Sequence, residues 1–231
     1  MNALILAGGY GKRLKKFTKH TPKCLLPVNG VPLLGLWIKT LLSLKINKIL
    51  INTHYKSDQV KKFINIQKYK KKIILKHEKK LLGTGGTIYK NINFLKKSDA
   101  LILHADNYTK DNLKSFINFH KMKTKENNIL SILAFKSKNY KSEGILKIDR
   151  KKILKKIYQK KNKKYGNIAN GAIYLFNQEG LKLFEKKYDN KKDFTKSYLK
   201  LFINKSAVYK TNKFFVDIGT EKNYEKLTEK K

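Results

Sequence analysis

A glycine-rich segment follows the first apolar run of the sequence. Residues 3–7 (ALILA) lead directly into Gly8, Gly9 and Gly11. Glycines placed after a buried strand allow backbone N–H groups to approach a phosphate chain. Leu14 stands where the dinucleotide-binding fingerprint has its third glycine, and no Gly-Lys-Ser/Thr sequence completes a P-loop. The segment therefore predicts a phosphate contact of a different type, with an ordinary strand-to-helix turn as the alternative.

Arg13, in the same segment, is unusual for this chain. The 231 residues include 54 Lys and Arg against 16 Asp and Glu, which gives a net charge of +38, yet arginine occurs only at positions 13 and 150. The abundance of Lys, Asn, Ile, Tyr and Phe is typical of an AT-rich genome. An arginine retained against that bias indicates a need for the planar guanidinium, which grips phosphate with two parallel hydrogen bonds. Arg13 is therefore predicted to contact phosphate.

The large positive charge also permits a second class of function, non-catalytic binding of nucleic acid. The lysines are spread along the whole chain and are not gathered into one stripe with interleaved aromatic residues. This distribution favours a solvated basic surface, and we expect no specific nucleic-acid partner.

Length and composition indicate one globular domain over residues 1–231, with 41% hydrophobic residues. A single cysteine, Cys24, excludes an intramolecular disulfide and fits a reducing, cytoplasmic location. No apolar segment reaches membrane-spanning length, so no membrane association is expected. A monomer or a homodimer is compatible with the sequence.

Short apolar runs alternate with helical patterns in the first 135 residues. Strands are predicted at residues 3–7, 48–52, 72–76, 100–104 and 129–135, and helices at 32–44, 57–66, 86–95 and 112–121. This alternation predicts an α/β fold, with a Rossmann-like, mostly parallel sheet flanked by helices.

The pattern changes after residue 135. Strand-like segments at 145–148, 153–158 and 168–176 follow one another with few helices between them, which predicts an antiparallel extension of the same sheet. Helices are predicted at 178–187 and 194–202, then a strand pair near 207–209 and 214–216, and a final helix from Glu221.

Asp106 follows the predicted strand 100–104. The carboxyl ends of parallel strands form the edge at which open α/β sheets bind ligands. A carboxylate there is a candidate Mg²⁺ ligand, since Mg²⁺ prefers oxygen ligands shared with substrate phosphates. The alternative is a helix cap for the segment that begins near Asp111.

Several motifs together resemble the sugar-1-phosphate nucleotidylyltransferases. They are Leu6-Ala7-Gly8-Gly9-Tyr10-Gly11-Lys12-Arg13-Leu14, Thr21-Pro22-Lys23, Leu82-Gly83-Thr84-Gly85-Gly86, Asp106, Asn170-Gly171-Ala172 and Asp217-Ile218-Gly219-Thr220. They occur in the order typical of that family and cover nearly the whole chain. The chain length is similar to that of the short bacterial enzymes that activate hexoses or heptoses for surface polysaccharide.

The resemblance implies a reaction and its ligands. A sugar-1-phosphate oxygen would attack the α-phosphorus of a nucleoside triphosphate and expel pyrophosphate, with Mg²⁺ as the cofactor held by Asp106 and Asp217. The implied catalytic residues are Arg13, Lys23 and Asp106. The implied nucleotide ligands are Leu6, Ala7, Gly8, Gly9, Gly11, Arg13, Glu78, Gly83, Thr84 and Gly85. The implied sugar-phosphate ligands are Asn107, Glu143, Gly144, Lys160 and Asn170. The first 135 residues would mainly bind nucleotide, and residues 136–231 sugar phosphate.

Two departures from the family pattern leave the acceptor open. The family usually has Gly-Asp where this chain has Ala105-Asp106, and the sequence Ala105-Asp106-Asn107-Tyr108 is similar to cytidylyltransferases that activate phosphocholine and related small phosphates. Gln159-Lys160 stands where the sugar enzymes commonly have Glu-Lys-Pro. A sugar-1-phosphate acceptor is favoured because residues 82–86 resemble the corresponding motif of the sugar enzymes.

Overall fold

The main β-sheet of the computed structural model confirms the predicted α/β class. The structure describes residues 1–137, 143–159 and 165–228. Within these residues the sheet has nine strands. Their bounds, together with those of two small two-stranded sheets, are β1 Asn2–Leu6, β2 Pro27–Val28, β3 Val31–Pro32, β4 Ile49–Thr53, β5 Ile73–His77, β6 Ala100–His104, β7 Asn107–Thr109, β8 Leu130–Lys136, β9 Ile145–Ile148, β10 Leu154–Tyr158, β11 Ile168–Phe176, β12 Ser206–Lys210 and β13 Phe215–Asp217.

Helices cover both faces of the main sheet. Their bounds are α1 Lys15–Thr18, α2 Leu33–Ser43, α3 Ser57–Asn65, α4 Gly83–Lys90, α5 Ile92–Leu95, α6 Lys114–Lys125, α7 Gln178–Lys187, α8 Phe194–Ser197 and α9 Glu221–Thr228. Successive residues of β1 point to opposite faces, so that Ile5 packs with Trp37 of α2 and Leu4 packs with Ile88 of α4. None of the helices in the described ranges is long and apolar enough to cross a membrane.

Strand β1 lies at the centre of the parallel part, between β4 and β6, and β5 follows β4. Strand β11 pairs antiparallel with β6 and continues the sheet to β9 and β10, which confirms the predicted antiparallel extension. Along its other edge β11 pairs antiparallel with β8 from Ile168 to Phe176, and β12 joins β8 in parallel. The long strand β11 therefore connects the two parts of the sheet.

The late strands correct one prediction. Residues 207–209 and 214–216 were expected to pair with each other, but β12 pairs with β8 of the main sheet, and β13 forms a separate ladder with β7. The predicted helix 86–95 is also divided at Asn91, whose side-chain Nδ2 donates to the Thr87 carbonyl at 2.9 Å. Such side chains compete with the helical backbone bonds and favour helix ends.

His120 of α6 provides a stability prediction. It is 2% exposed, its Nδ1 lies 2.9 Å from Ser131 Oγ, and burial lowers its pKa from 6.5 to about 4. Between these values the unfolded chain binds a proton that the folded chain does not, so stability is fully present above pH 6.5 and falls as the pH drops. We expect the loss to reach up to about 3 kcal/mol near pH 4.

The measurement is the free energy of unfolding by urea at several pH values, for the natural chain and for His120→Gln. The glutamine does not titrate, so the difference between the two proteins isolates the histidine. A difference that stays constant from pH 7 to pH 4 would contradict the prediction.

Candidate active site

A cleft of about 170 Å³ opens at the carboxyl ends of β1, β4 and β6. Six of the predicted nucleotide ligands line it: Leu6, Ala7, Gly8, Gly9, Gly83 and Thr84. Lys23 and Asp106 lie on the same wall. The cleft therefore brings together the glycine-rich segment, a cation and the acid at the strand edge.

Asn52, at the end of β4, holds the glycine-rich segment in place. Its Oδ1 accepts a hydrogen bond from the Ala7 N–H at 2.8 Å. A Cβ atom on Gly8 would lie 2.9 Å from Asn52 Nδ2, so a larger residue there would displace the Asn52 side chain that holds the segment. Gly9 has nothing within 4 Å of its Cβ position. Gly11 has a φ of 67° and lies outside the cleft wall, where it precedes the turn that carries Arg13.

Asp106 and Asp217 lie on neighbouring segments. Asp217 pairs with Asn107 in the β7–β13 ladder, and the Ile218 N–H donates to the Asp106 carbonyl at 3.0 Å. Desolvation and the negative charge of Asp106 raise the pKa of Asp217, against the opposing charges of Lys23 and Arg13. The two carboxylates, distant in sequence, are thus close enough to repel each other.

Lys23 and His104 flank the Asp106 carboxylate. Lys23 Nζ lies 2.5 Å from Oδ2, and His104 Nδ1 lies 3.9 Å from Oδ1. Burial alone would raise the pKa of Asp106, but the Lys23 ammonium and His104 outweigh it and hold the pKa below its usual range. Asp106 is therefore a carboxylate at neutral pH, and Lys23 is a cation fixed at the wall of the cleft.

Arg13 lies at the rim of the site beside Asp217. A Cβ atom on Gly219 would lie 2.8 Å from a terminal guanidinium nitrogen of Arg13 and 2.9 Å from Asp217 Oδ1. Glycine at position 219 thus permits both side chains to approach the same point. Helix α9 supports the segment that follows Arg13, since Phe17 makes an edge-to-face contact with Tyr224 at 4.8 Å.

Glu78 was predicted to contact nucleotide, but its carboxylate faces inward. It is 2% exposed and accepts hydrogen bonds from Thr87 Oγ1 at 2.6 Å, Asn52 Nδ2 at 3.2 Å and the Leu82 N–H at 3.2 Å. Both of its oxygens have protein donors, and Glu78 does not line the cleft. It orients Asn52 and Thr87, which do line it.

The start of α4 is attached to the segment before α8, which changes the prediction for Gly85. The Gly85 N–H donates to the Lys192 carbonyl at 2.7 Å, and Thr84 Oγ1 accepts from the Phe194 N–H at 2.8 Å. The Gly85 N–H is therefore engaged by protein and does not face the cleft. Gly83 has a φ of 76°, and a Cβ atom there would lie 2.6 Å from the Lys192 carbonyl oxygen.

Glu143 lies near enough to Asp217 to be affected by its charge, and it is not among the residues that line the cleft. Within the part of the chain that the structure describes, its Oε2 is a buried side-chain oxygen with no hydrogen-bond partner. Desolvation raises the pKa of Glu143, a hydrogen bond from Ser137 opposes this, and the charge of Asp217 adds to the rise. A buried acceptor without a donor is costly unless a ligand supplies one.

The other predicted sugar-phosphate ligands are placed differently. Gly144 accepts the Asn170 N–H through its carbonyl at 2.9 Å. The Asn170 side chain accepts from the Ala172 N–H at 2.9 Å and donates to Tyr174 Oη at 2.8 Å, so part of its capacity is used within β11. Lys160 lies outside the described residues.

Asn107 requires a correction. It was predicted to contact sugar phosphate, but it is 4% exposed, and its Nδ2 donates to the Gly171 carbonyl at 2.7 Å. Its side chain therefore faces β11 inside the protein.

Asp106 and Asp217, called the acid pair below, provide only oxygen ligands for a cation. In residues 1–137, 143–159 and 165–228, no group of three or more His, Cys, Asp or Glu side chains is arranged to hold a metal ion. Desolvation and the charge of Asp106 together raise the pKa of Asp217, and two carboxylates that repel each other in this way do fit a hard divalent cation, which would relieve the repulsion. Mg²⁺ commonly uses one or two carboxylates and completes its shell with water and substrate phosphates.

Comparison with known proteins identifies the family. The family described as Nucleotidyl transferase matches residues 2–231. The chain belongs to this family. The resemblance inferred from the sequence motifs is thereby confirmed, and this nucleotidyltransferase is an enzyme.

Two named relatives of the nucleotidyltransferase are similar to it over almost their whole length. The D-glycero-alpha-D-manno-heptose 1-phosphate guanylyltransferase of Campylobacter jejuni is 30% identical over 227 residues, which cover 97% of each chain. The enzyme of the same name from Aneurinibacillus thermoaerophilus is 27% identical and covers 98% of this chain and 96% of its own.

Solved structures agree with the observed fold. HddC from Yersinia pseudotuberculosis, in complex with GMP-PN, has a TM-score of 0.80 and 26% identity, covering 99% of this chain and 98% of that chain. A putative glucose-1-phosphate thymidylyltransferase from Bacillus anthracis has a TM-score of 0.84 at 21% identity, with 99% and 94% covered, and supports the fold alone.

Several residues of the nucleotidyltransferase cleft were not among the predicted ligands, and three of them carry hydrogen-bonding side chains that could contact a ligand. Asn52, Thr87 and His104 all line it. The sequence did contain a signal for Asn52 and His104, because each stands at the carboxyl end of a predicted parallel strand, as Asp106 nearly does. Thr87 belongs to the same motif as Gly83–Gly86, but its contact with the cleft becomes recognisable only once α4 is placed against β4.

Proposed function

We propose that the nucleotidyltransferase transfers a guanylyl group from GTP to a heptose- or hexose-1-phosphate, releasing pyrophosphate. The observation that carries the proposal is the convergence of the glycine-rich segment, Lys23 and the Asp106–Asp217 pair at one sheet edge. The choice of GTP and of the sugar rests on the printed names of the relatives, two of which are heptose 1-phosphate guanylyltransferases.

The reaction needs positioning and charge neutralisation more than a protein nucleophile. An anionic oxygen of the sugar phosphate forms a bond to the α-phosphorus, the bond from that phosphorus to the bridging oxygen breaks, and pyrophosphate leaves with the electron pair. We assign Arg13 to the triphosphate and Lys23 to the phosphate nearest Asp106. Both cations offset the negative charge that the transferring group spreads over its oxygens.

We assign Asp106 and Asp217 as the ligands of a divalent cation, Mg²⁺. When bound, the cation would neutralise phosphate oxygens of the nucleotide. The fit of the oxygen-only donor pair to a hard cation supports this assignment.

The assignment of a sugar acceptor is supported by Glu143. A sugar has several hydroxyl donors, and the Oε2 atom of Glu143 has no donor among residues 1–137, 143–159 and 165–228. We therefore assign Glu143 to a sugar hydroxyl. Residues 1–135 would mainly bind nucleotide, since the cleft is lined from Leu6 to Asp106, and residues 136–231 mainly sugar phosphate. The product would supply surface polysaccharide synthesis from the cytoplasm.

The experiment is a pyrophosphate-release screen of five nucleoside triphosphates against heptose-, mannose- and glucose-1-phosphate and phosphocholine. We expect release with GTP and one of the sugar phosphates. Release with CTP and phosphocholine would instead support the cytidylyltransferase function that residues 105–108 suggest. No release from any pair would favour a basic protein that only binds nucleic acid.

Truncating Glu143 tests the acceptor site separately. Because a hydrogen bond to a charged group contributes about 1.5–3 kcal/mol, Glu143→Ala should raise the KM for sugar phosphate by roughly tenfold or more and leave the KM for GTP within about twofold. The change also removes the hydrogen bond from Ser137, so the free energy of unfolding of the variant is measured alongside its kinetics. Glu126→Ala, in an exposed position after α6, is the matched control. Equal KM values for sugar phosphate in both variants would refute the assignment.

A further inference from the structure

Asn107 occupies a junction between four parts of the molecule. It directly follows Asp106, and its backbone pairs with Asp217. Its carbonyl accepts the indole N–H of Trp37, from α2, at 2.8 Å. Its side-chain Nδ2 donates to the Gly171 carbonyl of β11 at 2.7 Å. One buried residue thus touches both segments of the acid pair, a core helix and the longest strand.

The bond to Gly171 reaches an irregular point of β11. The register of β11 against β8 shifts between Asn170 and Ile173, and Ala172 adopts a φ of 50°. A left-handed residue other than glycine costs free energy and persists only where surrounding contacts enforce it. A Cβ atom on Gly171 would lie 2.8 Å from the Leu133 carbonyl, so the strand cannot move closer at that point. The bulge therefore presents a fixed carbonyl to Asn107.

Asparagine suits this position because it supplies a donor to Gly171 without adding charge beside Asp106. Leucine has nearly the same shape but no donor, and it would leave the Gly171 carbonyl unpaired. Asn107 makes one hydrogen bond through its side chain, to β11, and one through its carbonyl, to α2. Together they restrain the position and the orientation of the segment that carries Asp106 relative to the main sheet. Residues that orient metal ligands typically change metal affinity 10–100-fold when they are replaced.

We propose that Asn107 is a positioning residue, which sets the placement of Asp106 against Asp217 by tying their ladder to the bulge of β11 and to Trp37. This inference rests on the proposed function, in which the acid pair holds a divalent cation. Since the bulge follows Asn170, the same contact connects the acid pair to the strand of the acceptor side.

The test measures binding of Mn²⁺ alone to the full chain, by the loss of the free-ion electron paramagnetic resonance signal, alongside kcat and KM. Asn107→Leu should weaken Mn²⁺ binding about tenfold and lower kcat about as much, with the KM for GTP changed less than about threefold. Trp37→Phe removes the donor to the Asn107 carbonyl together with part of a buried ring, and should shift Mn²⁺ binding in the same direction by about threefold. This second variant keeps the test informative if Asn107→Leu fails to fold.

Thr211→Val is the control for a merely structural effect. Thr211 is 3% exposed and donates to Asp111 Oδ2 at 2.6 Å, so its replacement also removes a buried hydrogen bond but leaves the acid pair untouched. If Asn107→Leu and Trp37→Phe show the same Mn²⁺ affinity and kcat as Thr211→Val, the inference about Asn107 is overturned. The proposed function is not affected by that result.

Asp106→Asn serves as the reference for the cation site. If it abolishes Mn²⁺ binding, the cation assignment stands and the two variants decide the role of Asn107. If it leaves Mn²⁺ binding unchanged, the cation assignment fails and the inference fails with it. The two failures are thereby distinguished.

Discussion

Replacing Asp106 or Asp217 by asparagine should lower turnover by at least about 10²–10³-fold while the fold remains intact. Each change keeps the shape of the side chain and removes a charge that we assign to the cation of the reaction. Asp106→Asn also removes the partner of Lys23, whose Nζ lies 2.5 Å from the carboxylate, so it should be the more damaging of the two. The measurement is kcat for pyrophosphate release with GTP and the accepted sugar phosphate.

The double variant and a surface aspartate provide the controls. Because the two carboxylates act as one unit, the double variant should be scarcely slower than the worse single variant. Asp58, exposed in the first turn of α3, gives the matched change Asp58→Asn, which should keep near-normal turnover. Near-normal turnover in both single variants at positions 106 and 217 would refute the assignment.

Arg13→Lys should lose most activity although it conserves charge. We expect kcat/KM for GTP to fall about 10- to 100-fold, because the planar guanidinium offers two parallel hydrogen bonds to a phosphate and the ammonium offers a single point charge. Arg13 lies beside Asp217 and Gly219 at the rim and does not line the cleft. Its guanidinium must therefore extend from the rim to contact the triphosphate, so the length and shape of the side chain matter as much as its charge.

Arg150 offers an unusually close control, since it is the only other arginine of the chain. It is exposed in the turn between β9 and β10, and Arg150→Lys should leave kcat/KM unchanged. Lys→Gln changes within residues 70–72 should also have little effect. If Arg13→Lys behaves like these surface variants, the scarcity of arginine carries no information about function.

The sequence was sufficient for elements whose apolar pattern is long enough to read. The five early strands were predicted within one or two residues, and the antiparallel extension was predicted as part of the same sheet. The β7–β13 ladder was not, because three residues on each strand give no readable period. That ladder brings Asp106 and Asp217 together. Both residues were therefore predicted from the sequence as metal ligands, but their proximity in space was not.

Side-chain direction was the other property that sequence did not reveal. Glu78 stands in the expected segment, yet three donors from Asn52, Thr87 and Leu82 turn its carboxylate inward. Asn107 faces β11 because a register shift in a strand more than sixty residues later presents the Gly171 carbonyl to it. Hydrogen-bond partners of this kind depend on tertiary placement, which residue types and spacing leave open.

The ladder of β7 and β13 also has a consequence for how activity is gained and lost. Because this ladder has three residues on each strand and lies outside the nine-stranded sheet, we expect it to open at a lower cost than that sheet. When the ladder opens, Asp217 leaves Asp106 although the large sheet remains folded. We therefore expect the enzyme to become active during refolding only after its native-like core has formed, and to lose activity in mild denaturant before that core unfolds.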